Sequence, residues 1–303
     1  MKISPSATPL LLLAGIALIW GSQFLFNQVV IQDLPPLTLS AGRATIGALT
    51  LAVIGWLRPS EKKAQAAPGM WKTYCLLAFF EGLLPLFLLS WGQTRVDSSI
   101  AAILMGTIPI FTILLAPAFV PGNHWNAPAI LSVICGFAGI VILVGPNLHA
   151  ESSGLLGELA VLGAAASVSV SLLLFNRLGD VSPVTAVRHI LTLAAIPLVL
   201  LALIHDQPWT LHITPPSIVA LLILGIFCAG IVYLMFAQLI KLSGSVYTSL
   251  VNYLTPVVGV LMGGAIIGES VGLNAWLALA FIVSALLINQ PELLQRLWTR
   301  SAA

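Results

Sequence analysis

Charge is what this chain has least of. Lys, Arg, Asp and Glu make up 7% of its 303 residues, against 59% hydrophobic residues. A soluble domain carries roughly 25% charged and roughly 45–50% apolar residues. So few charges cannot cover a water-facing surface, which leaves lipid as the main solvent. The net charge of +2 gives no basis for nucleic-acid binding. The three cysteines, Cys75, Cys135 and Cys228, each stand inside an apolar run without paired spacing. That pattern argues against disulfides and thiolate metal sites. Four histidines (His124, His149, His205, His212) fall in links, and His189 alone lies in an apolar run. There is no GxxxxGK[ST] loop, no HExxH helix, no intramembrane aspartate pair and no Ser or Cys beside a base. The reading is therefore no cofactor, no metal, no nucleotide and no enzyme.

What is present is apolar length. A bilayer span needs about 20 mostly apolar residues. Breaks at Pro, Gly and charge clusters predict spans near 9–31, 36–57, 72–92, 98–119, 126–145, 155–175, 183–204, 217–240, 245–267 and 271–290. Only 58–71 and 205–216 read as longer links. The first run could pass for a signal peptide. It continues through Gln23 and Asn27 to Ile31 with no small-residue cleavage site, and is read as a retained first span. Tyr74, Trp91, Trp125, Trp209 and Trp298 lie near span ends and read as interfacial anchors.

Basic residues set the expected orientation. With the N-terminus in the cytoplasm, the inside receives Lys2, Arg58, Lys62, Lys63, Lys72, Arg177, Lys241, Arg296 and Arg300. The outside receives Arg95, and Arg43 and Arg188 lie within spans. This predicts an even span count with both termini cytoplasmic.

The chain also matches itself. A shift of 147 residues carries Pro109 onto Pro256, and a shift of 145 carries Gln93 onto Gln238. Arg43 and Arg188 sit early in spans 2 and 7. The expected organisation is all-α: ten transmembrane helices in two five-helix repeats, 1–147 and 148–303. Five is odd, so the second repeat is inverted. Inverted repeats are a recurrent transporter architecture with the substrate site near the midplane.

With these features in view, the chain resembles the EamA-type group of the drug/metabolite transporter superfamily, over nearly its whole length. The resemblance rests on WGS (Trp20–Ser22), on Arg43 after Pro35 and Pro36, on the central prolines of spans 4 and 9, and on IIGESVGLNAW with Glu269. PGNHWN after span 4 departs from the glycine–glutamate turn of the second half. The resemblance implies a central cavity between the halves, export of small molecules such as amino acids, and a bacterial inner (plasma) membrane. The most similar members are aromatic amino-acid exporters.

Several residues are candidates for chemistry. Pro109 and Pro256 remove the donors that would bond the carbonyls of Met105 and Asn252, and Pro85 does the same for Glu81. These three prolines are expected hinges. The proline-side faces of spans 4 and 9 carry Met105 and, in the other half, Ser249, Asn252 and Tyr253. Span 1 aligns Trp20, Gln23, Phe24 and Asn27 on one face. Glu81 is read as the one acid deep inside a span, and intramembrane carboxylates usually face a cavity or a partner. Three roles stand open for it: binding a substrate ammonium, carrying a coupling proton, or pairing with an arginine. Arg43 and Arg188 suit either a structural role or a substrate carboxylate. The GxxxG pairs Gly259–Gly263 and Gly264–Gly268 read as packing within one protomer, so a monomer is expected.

The function expected is secondary transport of small neutral or zwitterionic metabolites, amino acids including aromatic ones, by alternating access. A multidrug or cationic-compound exporter is the alternative within the superfamily. A channel or an intramembrane enzyme is the alternative from another class. The partners expected are a small-molecule substrate and the lipid bilayer.

Overall fold

Proline marks where helices begin. Pro36 opens the second helix, Pro128 sits in the first turn of the fifth, and Pro215 opens the eighth. At the first helical turn proline loses nothing, because its missing N–H has no intrahelical partner there. Asn126 adds a side-chain cap by accepting from the Ala129 N–H at 2.9 Å.

The computed structural model describes residues 8–57, 70–120, 122–145, 153–178, 181 and 183–288. Over them run ten apolar helices: α1 Thr8–Val30, α2 Pro36–Leu57, α3 Trp71–Gln93, α4 Ser98–Phe119, α5 Ala127–Val144, α6 Gly154–Phe175, α7 Val184–His205, α8 Pro215–Ser243, α9 Val251–Ile267 and α10 Leu273–Ile288. Eight are at least 18 residues long, and α9 and α10 are shorter. There is no strand among the described residues. Lys2, Arg58, Lys62, Lys63, His149, Arg296, Trp298 and Arg300 lie outside them.

Two details differ from the sequence-based expectation. Helical residues run on through Lys241 to Thr248, and the turn falls at Ser249 and Leu250 rather than before Ser245. Every residue from 241 to 248 keeps its backbone donor, so nothing local stops the helix there. Tyr74 is not an interfacial anchor. It is fully buried, with its ring 5.2 Å from that of His189. Burial against α7 outweighs its position near a span end.

Large apolar side chains face outwards, among them Leu49, Trp56, Ile134, Val141, Leu200 and Ile204. Small and polar ones lie inside, including Asn27, Ser40, Gln93, Ser132 and Ser169. That is the arrangement lipid as solvent requires, since apolar tails replace water around the helices.

The contacts between the two five-helix groups come in matched pairs. Helix α1 packs on α9 as α6 packs on α4, and α2 packs on α8 as α7 packs on α3. The self-matched pairs α2–α7, α5–α10 and α4–α9 also touch. Spans α4 and α9 meet closely. A Cβ on Gly259 would lie 2.4 Å from the Ala102 Cβ, and one on Gly106 would lie 3.2 Å from Pro256. Helix α4 breaks at Gly106 and Thr107, and Pro109 sits in the first turn of its second segment. Pro256 stays inside an unbroken helical stretch, Val251–Met262.

Candidate functional site

Helix α3 widens into a π-helical turn at Ala78–Leu83, where the Leu84 N–H reaches back to the Phe79 carbonyl. In that register the next carbonyl, Phe80, would take its hydrogen from residue 85, which is proline. The Ser167 hydroxyl of α6 replaces the missing donor, bonding the Phe80 carbonyl at 2.8 Å. Helix α8 has its own π turn at Leu224–Ile231. A shift of 145 residues carries 78–83 onto 223–228, so the two turns occupy matched places. Such turns are frequent at functional sites.

Glycine lets both widened turns approach the opposite group. A Cβ on Gly82 would lie 2.5 Å from the Ala194 Cβ of α7, and one on Gly225 would lie 2.4 Å from the Ile46 Cβ of α2. These contacts bring the inward side chains of α3 and α8 together. At about 1.5 Å per residue, Glu81 lies about 15 Å from Trp71 and about 18 Å from Gln93, near the middle of α3.

The Tyr233 hydroxyl, just past the α8 turn, donates to Glu81 Oε1 at 3.4 Å. The other oxygen, Oε2, is buried without a hydrogen bond. The Ser171 hydroxyl of α6 is buried beside Glu81 as its hydrogen-bonding neighbour on that helix, and has no other partner. Trp20 of α1 sets its ring edge-on to Tyr233 at 5.8 Å and tilted to Phe236 at 5.4 Å. Next along α1, Gln23 Oε1 accepts from Arg43 Nη2 at 2.5 Å. Arg43 is 6% exposed, its Nε is buried without a partner, and Tyr233 and Cys228 are its electrostatic neighbours. No hydrogen bond joins Arg43 to Glu81. Tyr233 thus stands between a carboxylate and a guanidinium at mid-depth, beside a three-ring aromatic wall, with an unpartnered polar atom on each charged group. A buried polar atom left unpaired costs about 1–3 kcal/mol.

The comparisons with known proteins agree with this architecture. The EamA-like transporter family profile matches twice, at residues 7–145 and 155–289. The chain belongs to the EamA-like transporter family. Transporter YoaV of Bacillus subtilis is 26% identical over 280 residues, covering 91% of this chain and 94% of YoaV. Protein PagO of Salmonella typhimurium is 24% identical, covering 90% of each chain. The inner membrane transporter YedA of Escherichia coli is 26% identical, covering 91% of this chain and 88% of YedA. A crystal structure sharing 20% identity, with 93% of this chain and 97% of its own covered, superposes at a TM-score of 0.67 and shows the fold alone. The protein is a multi-pass membrane transporter.

Of the positions singled out in the sequence, this EamA-like transporter brings Trp20, Gln23, Arg43 and Glu81 together. Phe24 and Tyr253 pack in the core, the latter with its hydroxyl on the Leu286 carbonyl at 2.8 Å. Met105 is half-buried against the same core. Asn27 is fully buried in an amide network, with its Nδ2 donating to Gln93 Oε1 at 2.8 Å. Gln93 Nε2 in turn donates to the Phe24 carbonyl at 2.9 Å. Gln238, the repeat mate of Gln93, is exposed. Ser249 lies in the turn before α9, and Asn252 is exposed. Arg188 lies apart from the chamber, beside Gly55 and Tyr74.

Sequence reasoning passed over Tyr233 and Phe236. Their signal was faint, because an apolar span gives an aromatic residue no distinguishing pattern. It also passed over Glu158, which is 1% exposed in the second turn of α6.

At one end of the transporter, three carboxylates cross between the two groups of helices to cap helix starts. Asp33 Oδ2 accepts from Thr214 N at 2.9 Å and Thr214 Oγ1 at 2.5 Å. Asp206 Oδ2 accepts from Thr38 N and Oγ1, each at 2.8 Å. Glu269 accepts from Ser98 and Ser99. Anionic groups satisfy the free N–H groups and favour the positive end of the helix dipole.

Proposed function

We propose that this protein is a secondary transporter that exports small neutral or zwitterionic metabolites, amino acids including aromatic ones, across the bacterial inner membrane. The observation that carries the reading is Glu81 beside Tyr233 and Trp20: an isolated carboxylate at mid-depth against an aromatic wall. A chamber of that kind suits a solute with an ammonium and an apolar body. No nucleotide motif occurs in the chain, so the driving force is a solute or proton gradient. The distribution of basic residues supports cytoplasmic termini, and in that orientation the three carboxylate caps lie at the outer end. They support alternating access, because they tie the two inverted halves, 1–147 and 148–303, shut at that end. Pro85, Pro109 and Pro256 serve as the flexible points.

A second reading has a specific observation in its favour. A carboxylate facing aromatic rings also suits an organic cation, as in a multidrug exporter. Counterflow from proteoliposomes preloaded with each amino acid, with nucleosides or with cationic drugs separates the two. Exchange of aromatic amino acids supports the first reading, and a drug signal without amino-acid exchange replaces it. Repeating the assay with a pH gradient tests proton coupling: if Glu81→Gln leaves gradient-driven transport intact, Glu81 carries no proton.

A further inference from the structure

Arg43 raises a question that a carboxylate facing an aromatic wall does not answer. A guanidinium 94% buried at membrane depth is costly, and a neutral amide such as Gln23 offsets little of that cost. Relief could come from an ion pair with Glu81, the other charged group beside Tyr233. That pair does not form. Arg43 keeps an unpartnered Nε and Glu81 an unpartnered Oε2, while Tyr233 stands within electrostatic reach of both.

We propose that Arg43 is the receptor for the carboxylate of the transported solute, with Glu81 receiving its ammonium, so that the chamber selects solutes bearing both charges. The inference rests on the reading of this region as the substrate site and deepens it by assigning a residue to each charge, so that a free α-amino acid is selected over an amine, an ester or an N-acylated acid. A zwitterion satisfies both orphaned atoms at once. Its side chain then lies against Trp20, Tyr233 and Phe236. An amine leaves the guanidinium buried and uncompensated, and an N-acylated acid does the same to the carboxylate. Truncating one partner of a buried charge pair costs about 2–5 kcal/mol, which corresponds to about 30-fold to several thousand-fold in affinity. Gln23 is a positioning residue. It holds the Nη2 arm of the guanidinium, leaving Nε without a partner.

The selectivity is read without altering the protein. In counterflow of phenylalanine, competition by phenylalanine methyl ester, phenethylamine and N-acetylphenylalanine is compared with unlabelled phenylalanine. Each analogue is expected to compete at least about 30-fold more weakly. Arg43→Gln is expected to weaken phenylalanine by a similar factor while narrowing the gap to the ester and amine. Arg43→Lys, which keeps a point charge, is expected to restore part of the preference. A purely structural arginine would lower uptake of all solutes by one common factor and leave the ratios unchanged, which overturns the proposal even if Arg43→Gln is unstable and only Arg43→Lys can be purified. Equal competition by phenylalanine and phenethylamine in the unaltered protein overturns the two-charge requirement alone. Absence of exchange for every aromatic solute overturns the substrate-site reading together with it.

Discussion

Glu269, in the link after α9, caps the first turn of α4 across the molecule. Its Oε1 accepts from the Ser98 N–H at 2.8 Å and the Ser98 hydroxyl at 2.7 Å, and its Oε2 accepts from the Ser99 N–H at 2.9 Å. The glutamate that marks the family-like turn in the sequence is therefore a fastening between the two halves, 171 residues from its partner Ser98.

Removing that cap should destabilise the protein. Glu269→Ala is expected to cost about 1–2 kcal/mol, the usual range for losing a helix cap, read as a lowered melting temperature in detergent. The effect should depend on pH. Burial works to raise the Glu269 pKa, but the hydrogen bonds from Ser98 and Ser99 outweigh it and hold the carboxyl below its usual value of 4.5. A depressed folded pKa gives stability that is present above the unfolded value and lost as pH falls through the folded one. Asp97 runs the other way. Burial and then the Glu269 charge hold it above its usual value, so it returns some stability as pH falls. The melting temperature of Glu269→Gln should accordingly fall less than that of the unaltered protein between pH 7 and pH 3. A parallel fall in both would show that Glu269 carries none of the acid lability.

The crossing of α4 and α9 admits no extra atoms. A Cβ at Gly259 would meet the Ala102 Cβ at 2.4 Å. Gly259→Ala is expected to cost about 1–3 kcal/mol by overpacking and to slow transport. Ala102→Gly in the same chain should recover most of the loss. Thermal melts of the two single variants and the double variant decide this, and simple additivity would contradict the close crossing.

The pairing of Ser167 with the Phe80 carbonyl exists because Pro85 cannot donate. Ser167→Ala should cost about 1–3 kcal/mol for an unsatisfied buried carbonyl. Pro85→Ala supplies an N–H in the right register, so Ser167→Ala should cost clearly less on that background. A double-mutant cycle on melting free energies is the measurement. Equal costs on both backgrounds would mean the hydroxyl does not stand in for the proline.

Orientation can be read on whole cells with single cysteines in a cysteine-free background. Thr210→Cys, in the α7–α8 link, should react with a membrane-impermeant maleimide. Asn123→Cys, in the α4–α5 link, should react only after the membrane is opened. The reverse pattern would invert the topology proposed from the basic residues.

Much was legible in the residues alone. Scarcity of charge, long apolar runs and the prolines at helix starts gave ten helices, because hydrogen-bond satisfaction in lipid permits little else. The 147-residue self-match placed Pro109 opposite Pro256, and the family profile later matched each half separately. Trp20, Gln23, Arg43 and Glu81 stood out because polar or amphipathic groups inside apolar helices are costly and conspicuous. What the residues could not state is which of them meet. Asn27 reads like Gln23 on the same face of α1, yet it is spent on Gln93 while Gln23 holds Arg43. Helical spacing fixes a face but says nothing about the neighbour that covers it. The matched π turns left no mark in the sequence either, since Glu81 corresponds to the apolar Ile226. Close packing of Gly82 on α7 and of Gly225 on α2 accompanies the meeting of Tyr233 and Glu81. Local propensity and solvent chose the helices of this transporter. Close contacts between residues more than 100 positions apart, which no local pattern encodes, chose which of these side chains meet.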